Sequence, residues 1–100
     1  MSKLDDFIDK CHAKHIRSEY SHEEIIAALV QWYMAYQQEP VCYSEIINAG
    51  HNDIKRVLWG VTRVGAPKEY MLIEDVGDVV TNLKLTDYGM DVLREEGLLK

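Results

Sequence analysis

Residues 52–64 constrain this chain more than any other stretch. Wound as a helix at about 100° per residue, they place Ile54, Val57, Leu58 and Val61 at i, i+3, i+4 and i+7, one apolar stripe. Asn52, Arg56, Trp59 and Arg63 fall together on the opposite side, with Lys55 beside them. The pattern predicts a helix that packs inward by one face. The other face presents an amide, an indole and guanidinium groups outward. Gly60, inside this helix, costs about 1 kcal/mol relative to alanine and leaves room for close approach of another backbone.

The segments before it predict more helix. Residues 44–49 read as a short helix with Ile46 and Ile47 turned inward and Ser44 as its N-cap. Gly50 supplies the left-handed residue that stops it, and Asn52 is the N-cap of the next helix. Further upstream, Ser21-His22-Glu23-Glu24 is a capping box, with Tyr20 and Ile25 at the spacing of a hydrophobic staple. From Ile25 to Tyr36 only Gln31 is strongly polar. This predicts a central core helix covered on most sides, running to about Gln38 and stopped by Glu39-Pro40. Residues 41–43 read as a short extended link. Near the start, Leu4, Phe7, Ile8, Cys11 and His15 step at helical spacing, predicting an amphipathic helix over residues 3–17.

After Val64-Gly65-Ala66-Pro67-Lys68 the pattern changes. Residues 70–76 read as a strand, Gly77-Asp78 as a hairpin turn and residues 79–85 as the returning strand, with Val79, Thr81, Leu83 and Leu85 on one face. Thr86 caps a last helix over residues 87–96. Gly97 fits C′, and Leu98 at C″ would meet Leu93 at C3 in a Schellman ending.

Composition sets the limits. One hundred residues, 47% of them hydrophobic, suit a single domain with its own core: residues 1–20 as an added N-terminal helix and residues 21–100 as the body. The sequence carries no signal-peptide pattern and no apolar run of about 18 or more residues that could span a bilayer. Only Cys11 and Cys42 are present. The expectation is therefore a cytoplasmic protein with free thiols and no membrane segment. The net charge of −6 opposes generic binding to phosphate, but it is uneven. Residues 41–68 carry four bases against two acids, whereas residues 69–100 carry three against eight. The one net-positive segment holds the amphipathic helix of residues 52–64.

Cys11 and His15 lie at i, i+4, a usable metal spacing. His12, Cys42 or His51 could complete a set only through tertiary structure, and there is no C-x-x-C knuckle. A core cysteine beside a partly exposed histidine explains the pair, and no metal or cofactor is expected. No phosphate loop, nucleophile elbow or H-E-x-x-H is present. Asp87 with Tyr88, or His51 with Asp53, are accounted for as cap and turn residues, so no catalytic residue is assigned and no enzyme is expected.

The order helix, short helix, turn, helix, β-hairpin, helix resembles the winged helix-turn-helix superfamily over about residues 24–96. Tyr43-Ser44-Glu45-Ile46-Ile47 resembles the first helix of the motif and Ile54-Lys55-Arg56-Val57-Leu58 the recognition helix. Met71-Leu72-Ile73-Glu74 and Leu83-Lys84-Leu85-Thr86-Asp87-Tyr88-Gly89 resemble the wing and its exit. The Leu-Thr-x-x-Gly run is frequent in MarR-like and PadR-like regulators. The resemblance implies an α+β, mainly α, winged helix-turn-helix with an extra N-terminal helix and a two-stranded β-hairpin wing. It also implies a homodimer that binds duplex DNA and regulates transcription, with the N-terminal helix either covering the core or forming the dimer seam. Carried onto this sequence, the groove-facing residues are Asn52, Lys55, Arg56, Trp59 and Arg63. Lys55, Lys68 and Ser44 would hold phosphates.

A second reading stays open. The wing tip, Glu74-Asp75-Val76-Gly77-Asp78, bears three carboxylates and no base, and tryptophan with arginine is the pairing enriched at protein–protein hot spots. An adaptor or inhibitor using the Trp59/Arg face, or the acidic wing, against another protein is the alternative. A third reading has Trp59 covered within the chain.

Overall fold

The computed structural model describes residues 2–10, 20–63 and 66–99, with the side chain of Arg63 also outside the description. The described elements are α1 (Lys3–Lys10), α2 (His22–Tyr36), β1 (Val41–Cys42), α3 (Tyr43–Asn48), α4 (Asn52–Arg63), a 3-10 turn (Lys68–Tyr70), β2 (Ile73–Asp75), β3 (Asn82–Leu85) and α5 (Asp87–Glu95). The result is α+β and mainly helical, with a three-stranded antiparallel sheet in the order β1-β3-β2. Among the described residues, no helix is long and apolar enough to cross a membrane.

Helix α2 begins where its capping box requires. The Ser21 hydroxyl accepts from Glu24 N at 3.1 Å, and the Glu24 carboxylate reaches back to Ser21 N at 3.5 Å. Its Ile25, Ala28, Leu29 and Trp32 are buried and α4 packs there, through Leu58 and Val61. The expectation that α2 is covered on most sides is corrected: Met34, opposite the buried stripe, is 72% exposed. The helix also stops before Pro40, at Tyr36, because Gln37 takes a positive φ of 55° and donates to Tyr33 O.

Helix α1 lays Leu4, Phe7 and Ile8 into the core of this same chain, so that face is not free to act as a dimer seam. Lys3 N donates to Glu95 at 2.6 Å, tying α1 to α5, and Asp5 lies 3.1 Å from His22 at the start of α2. A hydrogen bond from the Ser2 hydroxyl, helped by the charge of His22, holds the Asp5 carboxyl below its usual range. Residues 11–17 of the expected helix, with Cys11, His12 and His15, lie outside the described residues.

Four further expectations are revised. Residues 41–43 are not a link: Val41 and Cys42 pair with Leu83 and Asn82, so the two-stranded wing becomes a three-stranded sheet. The first helix of the pair begins at Tyr43, and Cys42 occupies its cap position without a side-chain bond; Ser44 is therefore not the N-cap. Ile46 is fully buried, but Ile47 is 40% exposed. The hairpin strands are shorter than expected, because the Asp75 carboxylate accepts from both Gly77 N and Asn82 N at 3.0 Å. That carboxylate closes the loop of residues 76–81 ahead of the strand pairing and leaves Val79 96% exposed.

The two glycine stops behave as expected. Gly50 takes φ +79° between α3 and α4, and Gly97 takes φ +77° after α5. Leu98 N then donates to Leu93 O and Gly97 N to Arg94 O, both at 3.0 Å, the two bonds of a Schellman motif. Among the described residues Gly60 meets no foreign backbone; a Cβ there would lie 3.8 Å from the Tyr20 hydroxyl.

Tyr88 carries a pH consequence. Its hydroxyl donates to Lys3 O, and burial, reinforced by the charge of Asp6, pushes its pKa up from 10.0 to about 12. A group whose folded pKa is raised contributes stability below its unfolded pKa, and that contribution is lost as pH rises through the folded value. Stability is therefore expected to decline between about pH 10 and 12. Urea titrations across that window should show the decline in the wild type and a shallower one in Tyr88→Phe. Equal slopes would mean that Tyr88 ionises as freely in the folded chain as in the unfolded one.

Candidate functional site

The predicted outward face of α4 divides in two. Asn52 and Arg56 are exposed, in the first two turns after Gly50. Asn52 is the first helical residue rather than a cap preceding the helix. Lys55 and Trp59 lean away from them. The Lys55 ammonium donates to the Tyr43 hydroxyl at 2.9 Å and lies 4.6 Å from the centre of the Tyr43 ring and 5.7 Å from that of Trp59. The two rings meet edge to face at 6.2 Å. Each cation–π contact is worth about 0.5–1 kcal/mol at a partly solvated site, so Lys55 gives up these contacts if it swings to a phosphate.

Trp59 is half-buried and packs against the core. The cause is Thr62, which the apolar stripe did not include. Thr62 is 1% exposed and donates to Trp59 O at 3.0 Å. Burying Thr62 rotates the inward face of α4 towards the hairpin and draws Trp59 with it. Trp59 thus borders a cleft of about 640 Å³ whose other walls include Lys68, Met71, Ile73, Glu74 and Asp75. Lys68 is exposed beside this cleft, and Glu74, across it, is 4.0 Å from Lys84.

Ser44 is exposed in the first turn of α3. Its hydroxyl is 3.3 Å from the Cys42 sulfur, which holds that thiol below its usual range. Arg63 ends α4, but its side chain lies outside the described residues. The structure therefore brings Asn52 and Arg56 together at the start of α4. Lys55 and Trp59 form a second group with Tyr43, a partner twelve residues before Lys55 that no local pattern signals. Lys68 shares the cleft with Trp59, and Ser44 follows Tyr43 in the first turn of α3. Among the described residues no cluster of three or more His, Cys, Asp or Glu side chains could hold a metal ion.

The beginning of α4 is held from below. Tyr36 of α2 stacks edge-on against Trp32 at 5.2 Å and against His51 at 5.4 Å, and Lys55 N donates to His51 O at 3.0 Å. The exposed pair thus stands on a rigid aromatic support rather than on a loop. No family model, curated protein sequence or solved structure matches the chain.

Proposed function

We propose that this chain is a winged helix-turn-helix protein of the cytoplasm that binds duplex DNA through α4 and regulates transcription, acting as a homodimer. The observation that carries the reading is the exposure of Asn52 and Arg56 side by side at the start of a helix whose far side is locked into the core. Arginine pairs in bidentate fashion with guanine edges and asparagine with adenine. Trp59, a poor base reader, is drawn out of that face. Arg56 and Lys68 supply exposed charge for the backbone. The acidic hairpin tip is repelled by phosphate, so α4 rather than the tip makes the approach. Two copies on neighbouring half-sites compensate for the few phosphate contacts of one acidic domain.

The test is fluorescence anisotropy with mixed-sequence duplex DNA at about 50 and 200 mM salt, a range over which phosphate-driven binding falls steeply. On mixed-sequence duplex Arg56→Ala is expected to weaken binding and to lower the salt slope by about 1; on the operator it should lose about 5- to 150-fold, the equivalent of about 1–3 kcal/mol for a lost base contact. Lys68→Ala is expected mainly to reduce the salt slope. Unchanged affinity in Arg56→Ala would remove α4 from the interface.

The hairpin tip supports a second reading. Val79 is 96% and Val80 56% exposed beside Asp75 and Asp78, an apolar and acidic surface suited to a basic protein partner. Absence of DNA binding at low salt, with capture of a partner that Val79→Asp abolishes, would favour it.

A further inference from the structure

Beyond its first turn, which holds Glu23 and Glu24, the outer side of α2 is uncharged. Between Glu24 and Glu39 the sequence contains no Asp, Glu, Lys, Arg or His, although the chain as a whole carries −6. At about 100° per residue, Ala27, Gln31 and Met34 fall opposite the buried Ile25, Ala28, Leu29 and Trp32. A solvent-facing helix side ordinarily carries charge; this one carries an alanine, an amide and a methionine that is 72% exposed. Beside Met34 runs a groove between α2 and the end of α5, lined by Val30, Tyr33, Met34, Leu93, Leu98 and Leu99. Every one of those side chains is uncharged, and Leu98 is itself 48% exposed.

From this surface we infer that the outer face of α2 is where a second copy of the chain docks, with Met34 of each copy seated in the groove of the other. Size supports it. The groove holds about 120 Å³, about four times the roughly 30 Å³ share of one water, and a methionine side chain has four heavy atoms. Symmetry supports it as well, because a two-fold interface needs knob and hole on the same face of one molecule, and here they adjoin. Charge selects the partner. Two copies of an acidic chain repel each other least where both surfaces are neutral, and beyond the first turn of α2 this face puts no charge on either side. A crossed packing of the two α2 helices, the commonest helix–helix geometry, keeps Glu23, Glu24 and Glu39 at the helix ends away from their counterparts.

Because α4 packs on the buried side of α2, this pairing leaves Asn52 and Arg56 uncovered. It supplies the pair that the DNA reading requires, and stands whether or not DNA is the ligand. The experiment is sedimentation equilibrium of the full chain at loadings from about 1 to 500 µM, a range that covers tight to weak pairing. The wild type is expected to approach twice the chain mass as loading rises. Met34→Glu places two like charges near the two-fold axis and is expected to weaken pairing at least about 100-fold. Gln31→Glu, milder and on the same face, is expected to weaken it less. Both should keep the wild-type thermal melt at low loading, and Arg56→Ala should pair as the wild type does while losing DNA. A wild type that stays monomeric at every loading overturns the inference. So does a Met34→Glu chain that pairs as tightly as the wild type, whatever the DNA result.

Discussion

Trp32→Ala is expected to destabilise the chain by about 3–5 kcal/mol, the usual cost of removing a buried large aromatic. A domain of this size has a total stability of about 5–15 kcal/mol, so the variant should sit near the edge of folding at room temperature. Trp32 is fully buried on the side of α2 that receives α4, and its ring is the inner end of the Trp32–Tyr36–His51 stack. Loss of the indole therefore weakens the support beneath Asn52 as well as the core. Trp32→Phe should behave very differently. The indole Nε1 is buried and has no hydrogen-bond partner among the described residues. A buried unpaired donor costs about 1–3 kcal/mol, and phenylalanine removes it, offsetting part of the lost volume. Urea denaturation followed by circular dichroism measures both variants. A cost below about 1 kcal/mol for Trp32→Ala would mean that the site collapses freely onto the missing ring and that α2 is not the axis of the core. A cost for Trp32→Phe equal to that for Trp32→Ala would mean that the indole nitrogen is satisfied, for example by water.

How much of this was legible in the sequence follows the range of the interactions. The Ser21/Glu24 box, the Thr86 cap and the Gly97 ending each close within a few residues, so residue type and spacing determine them. The stripe of Leu58 and Val61 was legible for the same reason. The two-residue strand β1 was not. Val41 and Cys42 have too little length for a period-two pattern, and their pairing with Leu83 and Asn82 spans about forty residues. Alternation over-extends the hairpin strands, because the Asp75 carboxylate, not the pattern of Val79 and Thr81, decides where pairing starts. At the candidate site, helical spacing put Asn52, Lys55, Arg56, Trp59 and Arg63 on one face. Burial of Thr62 and the ring and hydroxyl of Tyr43 then split that face. Both effects are tertiary, and a helical wheel contains neither.

Gly89→Ala and Gly60→Ala are expected to move stability in opposite directions, although both replace a glycine inside a helix. Alanine favours a helix interior by about 0.8–1.0 kcal/mol over glycine, and that gain is available at Gly60, where an added Cβ would make an ordinary 3.8 Å contact with the Tyr20 hydroxyl. At Gly89 the same Cβ would lie 2.7 Å from Leu72 O, a backbone atom that already accepts from Thr86 N at 3.1 Å. That carbonyl cannot yield without disturbing the joint around Thr86, whose hydroxyl accepts from Gly89 N at 3.0 Å and donates to Met71 O. Overpacking of this kind costs about 1–3 kcal/mol, more than the helical gain. The Leu85-Thr86-x-x-Gly89 run thus has a physical reason: threonine caps α5 and fastens it to the chain entering β2, and glycine lets the helix come that close. Thermal melts measure the contrast, since about 1 kcal/mol shifts Tm by about 4–8 °C in a domain of up to 100 residues. Gly60→Ala should melt higher than the wild type and Gly89→Ala lower. A Gly89→Ala chain that melts at or above the wild type would mean that α5 can move off the Leu72 carbonyl at little cost, and the exit of the hairpin would then be a hinge rather than a fixed joint.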